Sequence, residues 1–154
     1  MNIITLTLNP AFDIHCQTEQ FLPFHENLAQ ITARDAGGKG VNISRALTAY
    51  GIESRALLVL GEENADEFLT RLSADPIPYH AVTAPGRIRE NLTLHSDGGR
   101  ETRISFGGFQ ATDSLAYEIE KLLLEWIDGD TVITVTGRNT DGLSMERVKA
   151  ILRK

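Results

Sequence analysis

Residues 35–47 read Asp-Ala-Gly-Gly-Lys-Gly-Val-Asn-Ile-Ser-Arg-Ala-Leu, so three glycines and a lysine run straight into a helix-compatible stretch. Glycines let the backbone turn sharply and let a ligand approach where a Cβ would stand. The helix that follows turns unpaired N–H groups and a partial positive charge toward whatever occupies the turn. An anion or a ring of hydroxyls suits that place. Lys39 adds a full charge, and Asn42 can both donate and accept. Taken alone, the same residues serve equally well as a structural turn with a surface lysine. They do not form a phosphate-cradling Walker A loop, because Gly40 follows Lys39 where that loop has Ser or Thr.

Patterning around this turn predicts an α/β chain. Asn2 to Leu8 reads as a buried strand ended by Asn9-Pro10, since proline cannot donate to a ladder. Asp13 then falls just past the strand's carboxyl end, the edge of an open α/β sheet where ligands collect. A turn aspartate is as readily a cap. Gly40 to Tyr50 predicts a helix with Val41, Ile43, Ala46, Leu47 and Tyr50 inward and Gly51 closing it. Arg55 to Leu60 predicts a second strand, Asn64 to Leu72 a helix capped by Asn64, and Tyr79 to Thr83 a third strand. Such alternation implies a parallel sheet. Glu62, Glu63, Asp66 and Glu67 read as a solvated first turn.

A second pattern flanks the first. Ile14 to Thr18 and Leu28 to Arg34 predict two half-wet strands, and Arg89, Asn91, Thr93 and His95 alternate with apolar residues in another. Asp97-Gly98-Gly99 reads as a hairpin turn before Glu101 to Phe106, with Arg103 on one face. These four strands predict a small antiparallel sheet beside the core. Ser114 to Ile127 has helical spacing with Trp126 inward, Thr131 to Thr136 is β-branched, and Ser144 opens a last helix. That helix stops at Lys154 in mid-pattern, which predicts an uncovered edge strand and half a core.

A formal charge of −6 excludes a general pull toward nucleic acid or anionic membranes, so any cationic site has to be local. The single cysteine, Cys16, excludes an internal disulfide and offers no metal cluster. His15 and His25 have no partner at metal-ligand spacing and read as surface or packing residues. Ile3 to Leu8 is too short for a leader, and no run approaches the roughly 20 apolar residues of a membrane span. The expected location is the cytoplasm.

Asn9-Pro10-Ala11-Phe12-Asp13, Ala36-Gly37-Gly38-Lys39-Gly40-Val41-Asn42, Arg87-Ile88-Arg89-Glu90-Asn91 and Phe106-Gly107-Gly108-Phe109, in that order, resemble the phosphofructokinase B branch of the ribokinase-like sugar kinases. Within it the pattern is most similar to the bacterial kinases of fructose 1-phosphate, with those of tagatose 6-phosphate close behind. The resemblance implies a ribokinase-like fold: a partial parallel sheet with flanking helices from residues 1–10, 37–86 and 108–154, and a β lid from 11–36 and 87–107. It implies ATP- and Mg²⁺-dependent phosphorylation of fructose 1-phosphate to fructose 1,6-bisphosphate. Asp13, Gly37, Gly38, Lys39 and Asn42 are implied to hold the sugar, with Arg89 on its phosphate, where a guanidinium can make two parallel bonds. Arg103 is a nearby candidate, and so is Arg138, which stands where the family usually has Ser-Gly-Ser. The family's base and anion hole lie in a Gly-Ala-Gly-Asp turn that does not occur in these 154 residues. No catalytic residue is therefore expected in this chain, and the nucleotide-binding half is expected to be missing. A homodimer through the lid is implied as well. The alternatives are a tagatose-6-phosphate kinase and a non-catalytic sugar-phosphate-binding or dimerisation module.

Overall fold

The computed structural model describes residues 2–153. Lys154, on which the expectation of a helix cut off in mid-pattern rests, lies outside them. The elements run β1 (Asn2–Thr7), β2 (Ala11–Gln17), β3 (Gln30–Gly37), α1 (Lys39–Ala49), β4 (Arg55–Gly61), a 3₁₀ turn (Glu62–Asn64), α2 (Ala65–Leu72) and β5 (Tyr79–Ala84). They continue with β6 (Arg89–Ser96), β7 (Arg100–Ser105), α3 (Asp113–Trp126), β8 (Thr131–Val135) and α4 (Met145–Leu152). No helix of the described residues is long and apolar enough to cross a membrane.

Two four-stranded sheets result, ordered β5-β4-β1-β8 and β3-β2-β6-β7. In the first, every pair is parallel, as the strand–helix alternation predicts. Side-chain alternation divides its core between two faces. Ile4, Leu6, Leu57, Val59 and Val82 pack with Leu115, Ile119 and Leu123 of α3 and Val148 and Ile151 of α4. Ala56, Leu58 and Leu60 face the other way, toward Val41 of α1 and Phe68 and Leu72 of α2. The second sheet lays Phe12, Ile14, Cys16 and Leu94 onto that same cluster, with Phe12 meeting the edge of Phe68 at 5.5 Å. Its opposite face carries Asp13, His15, Arg89, Asn91, Thr93 and His95.

The structure corrects several expectations. The second sheet is mixed: β2–β3 and β6–β7 are antiparallel, but the central β2–β6 pair is parallel. Asp13 lies inside β2, because the chain re-enters a sheet at Ala11 immediately after Asn9-Pro10. Helix α1 buries Gly40, Val41 and Ser44, while Tyr50 is 84% exposed. Small residues win there because α1 lies close on β1: Thr5 and Ser44 hydroxyls bond at 2.7 Å, and a side chain at Gly40 would strike Thr7 Oγ1. Asn64 does not cap α2 with its side chain, which instead accepts from Ile88 N at 2.8 Å. Trp126 does pack against the core, as expected, although it is only half-buried and flanked by Arg55 at 4.8 Å and His80 at 5.6 Å. Glu67 is not simply solvated, since it binds Arg34 at 2.8 Å and Arg71 at 3.1 Å.

Candidate functional site

The site forms where the chain leaves β1. Asn9-Pro10 turns it into β2, and the register then sets Ala11 beside Gly37 on one flank and Arg89 on the other. Two residues further along, on the same face, Asp13 stands between Asp35 and Asn91. Asn91 Nδ2 donates to Asp13 Oδ1 at 2.9 Å. Gly37 has to be glycine here, because a Cβ would run into Asp13 Oδ2. Gly38 follows at φ 138°, a backbone open to glycine, with Thr7 and Pro10 crowding the place where a Cβ would stand.

Helix α1 starts immediately at Lys39. No side chain caps its first turn and no acidic residue stands in it, so its leading N–H groups face the turn without a charged acceptor of their own. Lys39 is exposed, and its stem lies about 3.5 Å from where a Cβ at Gly137 would stand. The segment after β8 thereby joins the site. Asn9 fastens it there, donating from Nδ2 to Asn139 O at 2.9 Å.

Arg89 is half-buried. Its Nε and Nη2 each donate to Asn9 O at 3.3 Å, and Nη1 donates to Asn91 Oδ1 at 3.3 Å. Burial pulls its guanidinium below the ordinary arginine value; the Asp13 carboxylate opposes that pull and the Arg138 charge reinforces it. Guanidinium stays charged regardless, so Arg89 feels both the Asp13 carboxylate and the Arg138 charge, and Lys39 packs beside Gly137, the neighbour of Arg138.

Asp13, Gly37, Gly38, Lys39 and Arg89 thus share one region, and Arg138 joins it. Asn42 sits one turn into α1, exposed, with Oδ1 accepting from Arg45 Nη1 at 2.9 Å, which leaves its amide N–H groups to donate. Arg103 is not drawn in: it is 73% exposed and bonded to Glu101 at 3.1 Å, two rows from Arg89 on the register. Sequence reasoning passed over Asn91 and Asn9 as site residues. The Arg-x-Asn spacing signals Asn91, since alternation puts both side chains on one face. Asn9 stands in the first of the ordered motifs, but its two contacts, Nδ2 to Asn139 O and its own carbonyl to Arg89, join segments far apart in the chain and carry no local sequence signal. Among the described residues no group of three His, Cys, Asp or Glu side chains can hold a metal ion.

The arrangement offers carboxylate and amide groups suited to hydroxyls, beside helix N–H groups and cations suited to a phosphate. Comparison with known proteins agrees in kind. The sequence is 30% identical over 144 residues to the 1-phosphofructokinase of Escherichia coli, covering 94% of this chain and 46% of that protein. It is 27% identical to the tagatose-6-phosphate kinase of Staphylococcus epidermidis, covering 98% and 48%. The fold superposes on the crystal structure of phosphofructokinase-2 from Escherichia coli in complex with fructose-6-phosphate with a TM-score of 0.90. Identity there is 24%, and the match covers 99% of this chain and 50% of that one. The chain spans about half the length of the curated relatives it matches. Residues 9–152 match the family described as pfkB family carbohydrate kinase, and the chain belongs to that family.

Proposed function

We propose that this chain carries the acceptor-sugar side of a sugar-phosphate kinase whose substrate is fructose 1-phosphate, converted to fructose 1,6-bisphosphate at the expense of ATP. The observation that carries this reading is Asp13 held by Asn91 over Gly37, beside Arg89. An oriented carboxylate takes sugar hydroxyls. The cations and the uncapped start of α1 take the phosphate the substrate already bears. Gly38 and Asn42 complete the sugar contacts, Lys39 and Arg138 add charge, and Arg103 lies further along the same lid face. In this division residues 1–10, 37–86 and 108–154 form the core, and 11–36 and 87–107 form the lid.

ATP and Mg²⁺ belong to the proposal for the whole protein. Among the described residues no set of metal ligands comes together, so none of them is assigned to Mg²⁺. What this chain's own residues do is bind, orient and shield the acceptor. By itself it is expected to bind the sugar phosphate weakly at most, and without turnover. The lid's outlying apolar residues, among them Leu22, Phe24, Leu28, Ile31 and Ile104, support a homodimer through the lid. The cytoplasm is the proposed location.

Calorimetry tests the reading. Fructose 1-phosphate should bind, fructose should bind at least about tenfold more weakly, and Asp13→Asn should abolish the difference between polyol phosphates and inorganic phosphate. Equal heats for fructose and its phosphate overturn it. Tagatose 6-phosphate in the same series decides between the two sugar phosphates.

A further inference from the structure

The polar face of the lid continues beyond Asp13. His15 stands two residues along β2, about 6.7 Å on at strand rise, and alternation puts it on the side of Asp13. Its Nδ1 lies 3.0 Å from Nε2 of His95, with the rings 14° from parallel and their centroids 5.3 Å apart. His95 Nδ1 in turn lies 3.5 Å from Glu101 Oε1.

The charge beside His95 favours one placement of the protons. A neutral imidazole has one donor and one acceptor, and an ionised carboxylate only accepts. The Glu101 carboxylate, 3.5 Å from Nδ1, favours a His95 proton there by its charge, an arrangement in which His95 Nε2 is the acceptor. His15 must then donate from Nδ1. Its Nε2 is left with a bare lone pair on the face that Asp13 occupies. The other charged groups of that face are Asp13 and Asp35 one row toward the glycine turn, Arg89 a row beyond them, and Arg103 in the row of His15 itself. Arg103 is bonded to Glu101.

We propose that His15 is a further ligand contact: Nε2 accepts a hydrogen bond from a hydroxyl of the polyol that Asp13 holds, and His95 and Glu101 are positioning residues that keep that nitrogen bare. The proposal rests on the acceptor-sugar reading above.

Nitrogen NMR of the histidine rings in the full chain, above the pH range in which imidazole gains its charge, tests this with fructose 1-phosphate as the probe. In the free chain both rings should carry their proton on Nδ1; a proton on Nε2 of His15 overturns the relay. His95→Gln, which keeps an acceptor for His15, should preserve that tautomer, whereas His95→Ala should release it; equal spectra for the two variants also overturn the relay. On titration, movement of His15 Nε2 together with the amides of Gly37 to Asn42 supports the contact. Movement of those amides with His15 unmoved overturns the contact and leaves the proposed site standing. Movement of His15 alone keeps the contact and overturns the site at the glycine turn. If neither moves, both fall.

Discussion

Asn91 Nδ2 donates to Asp13 Oδ1 at 2.9 Å across the parallel β2–β6 pair, so the aspartate is aimed by a strand that arrives almost eighty residues later in the chain. The bond fixes one carboxylate oxygen and turns the other toward Gly37. Asn91 also accepts from Arg89 at 3.3 Å, which links the anionic and cationic groups of the site through one amide. Asn91→Ala is expected to weaken fructose 1-phosphate binding by about tenfold to a hundredfold, the range of one hydrogen bond to a charged group. The thermal midpoint should move little, because the pair is only part-buried. Calorimetry and a melting curve on the same variant check both statements, and unchanged affinity would detach Asn91 from the site.

Gly37→Ala is expected to cost about 1–3 kcal/mol of stability, because the new methyl meets Asp13 Oδ2 and lies 3.3 Å from Ala11 O. Binding should fail in the same variant, since Asp13 has to swing away. Gly98→Ala is the control. Gly98 has φ 70° with open space around it, so that change carries only backbone strain of about 1 kcal/mol and should leave binding intact. Denaturant unfolding of the two variants, with sugar-phosphate titration, separates collision at the site from strain at a distance.

Asn64→Ala should destabilise the protein more than Thr112→Ala. Thr112 Oγ1 accepts from Leu115 N at 3.2 Å at the start of α3, and losing such a cap costs about 1 kcal/mol. Asn64 is buried, and it accepts from Ile88 N at 2.8 Å, where the chain passes from the core toward β6. Its removal strands a buried N–H, at about 1–3 kcal/mol, in addition to the cavity left behind. Equal midpoints in urea would show that Ile88 finds another partner.

The contrast between these two residues marks how far the sequence reaches. Thr112 and Ser144 act locally, three residues from the N–H they accept, and Ser144 is legible as a cap for that reason. Asn64 has the same local credentials but is claimed by a backbone group 24 residues away. Strand existence was legible from β-branched runs and alternation. Strand partnership was not, so the central pair of the second sheet was expected antiparallel and is parallel. Asp13, the glycine turn and Arg89 were legible through ordered motifs. The His15–His95 contact was not, because it depends on which residues of β2 and β6 face each other, and a slip of one residue would separate them.

The second sheet is clamped to α2 by Arg34, and that clamp should make stability depend on pH on the acid side. Arg34 Nε meets Glu67 at 2.8 Å, Nη2 meets Glu90 at 2.7 Å, and the guanidinium lies 4.3 Å above the Phe12 ring. The bond from Arg34 holds the Glu67 carboxyl below the usual glutamate range, helped by Arg71. A carboxylate shifted down in the folded state stabilises it above the unfolded value of about 4.3, and that contribution is lost as pH falls below it. Arg34→Met removes the clamp while keeping a long apolar stem against Phe12. It is expected to cost about 2 kcal/mol near neutral pH, less than a fully buried pair because Glu67 is 41% exposed. Urea midpoints at about pH 7 and about pH 3.5 should fall further for the parent chain than for Arg34→Met, since only the parent has this pair to lose. Parallel falls in the two proteins would mean that Glu67 gains nothing from Arg34 and that the second sheet is held by other contacts, among them the Phe12–Phe68 packing and the bond from Arg71 to Arg34 O.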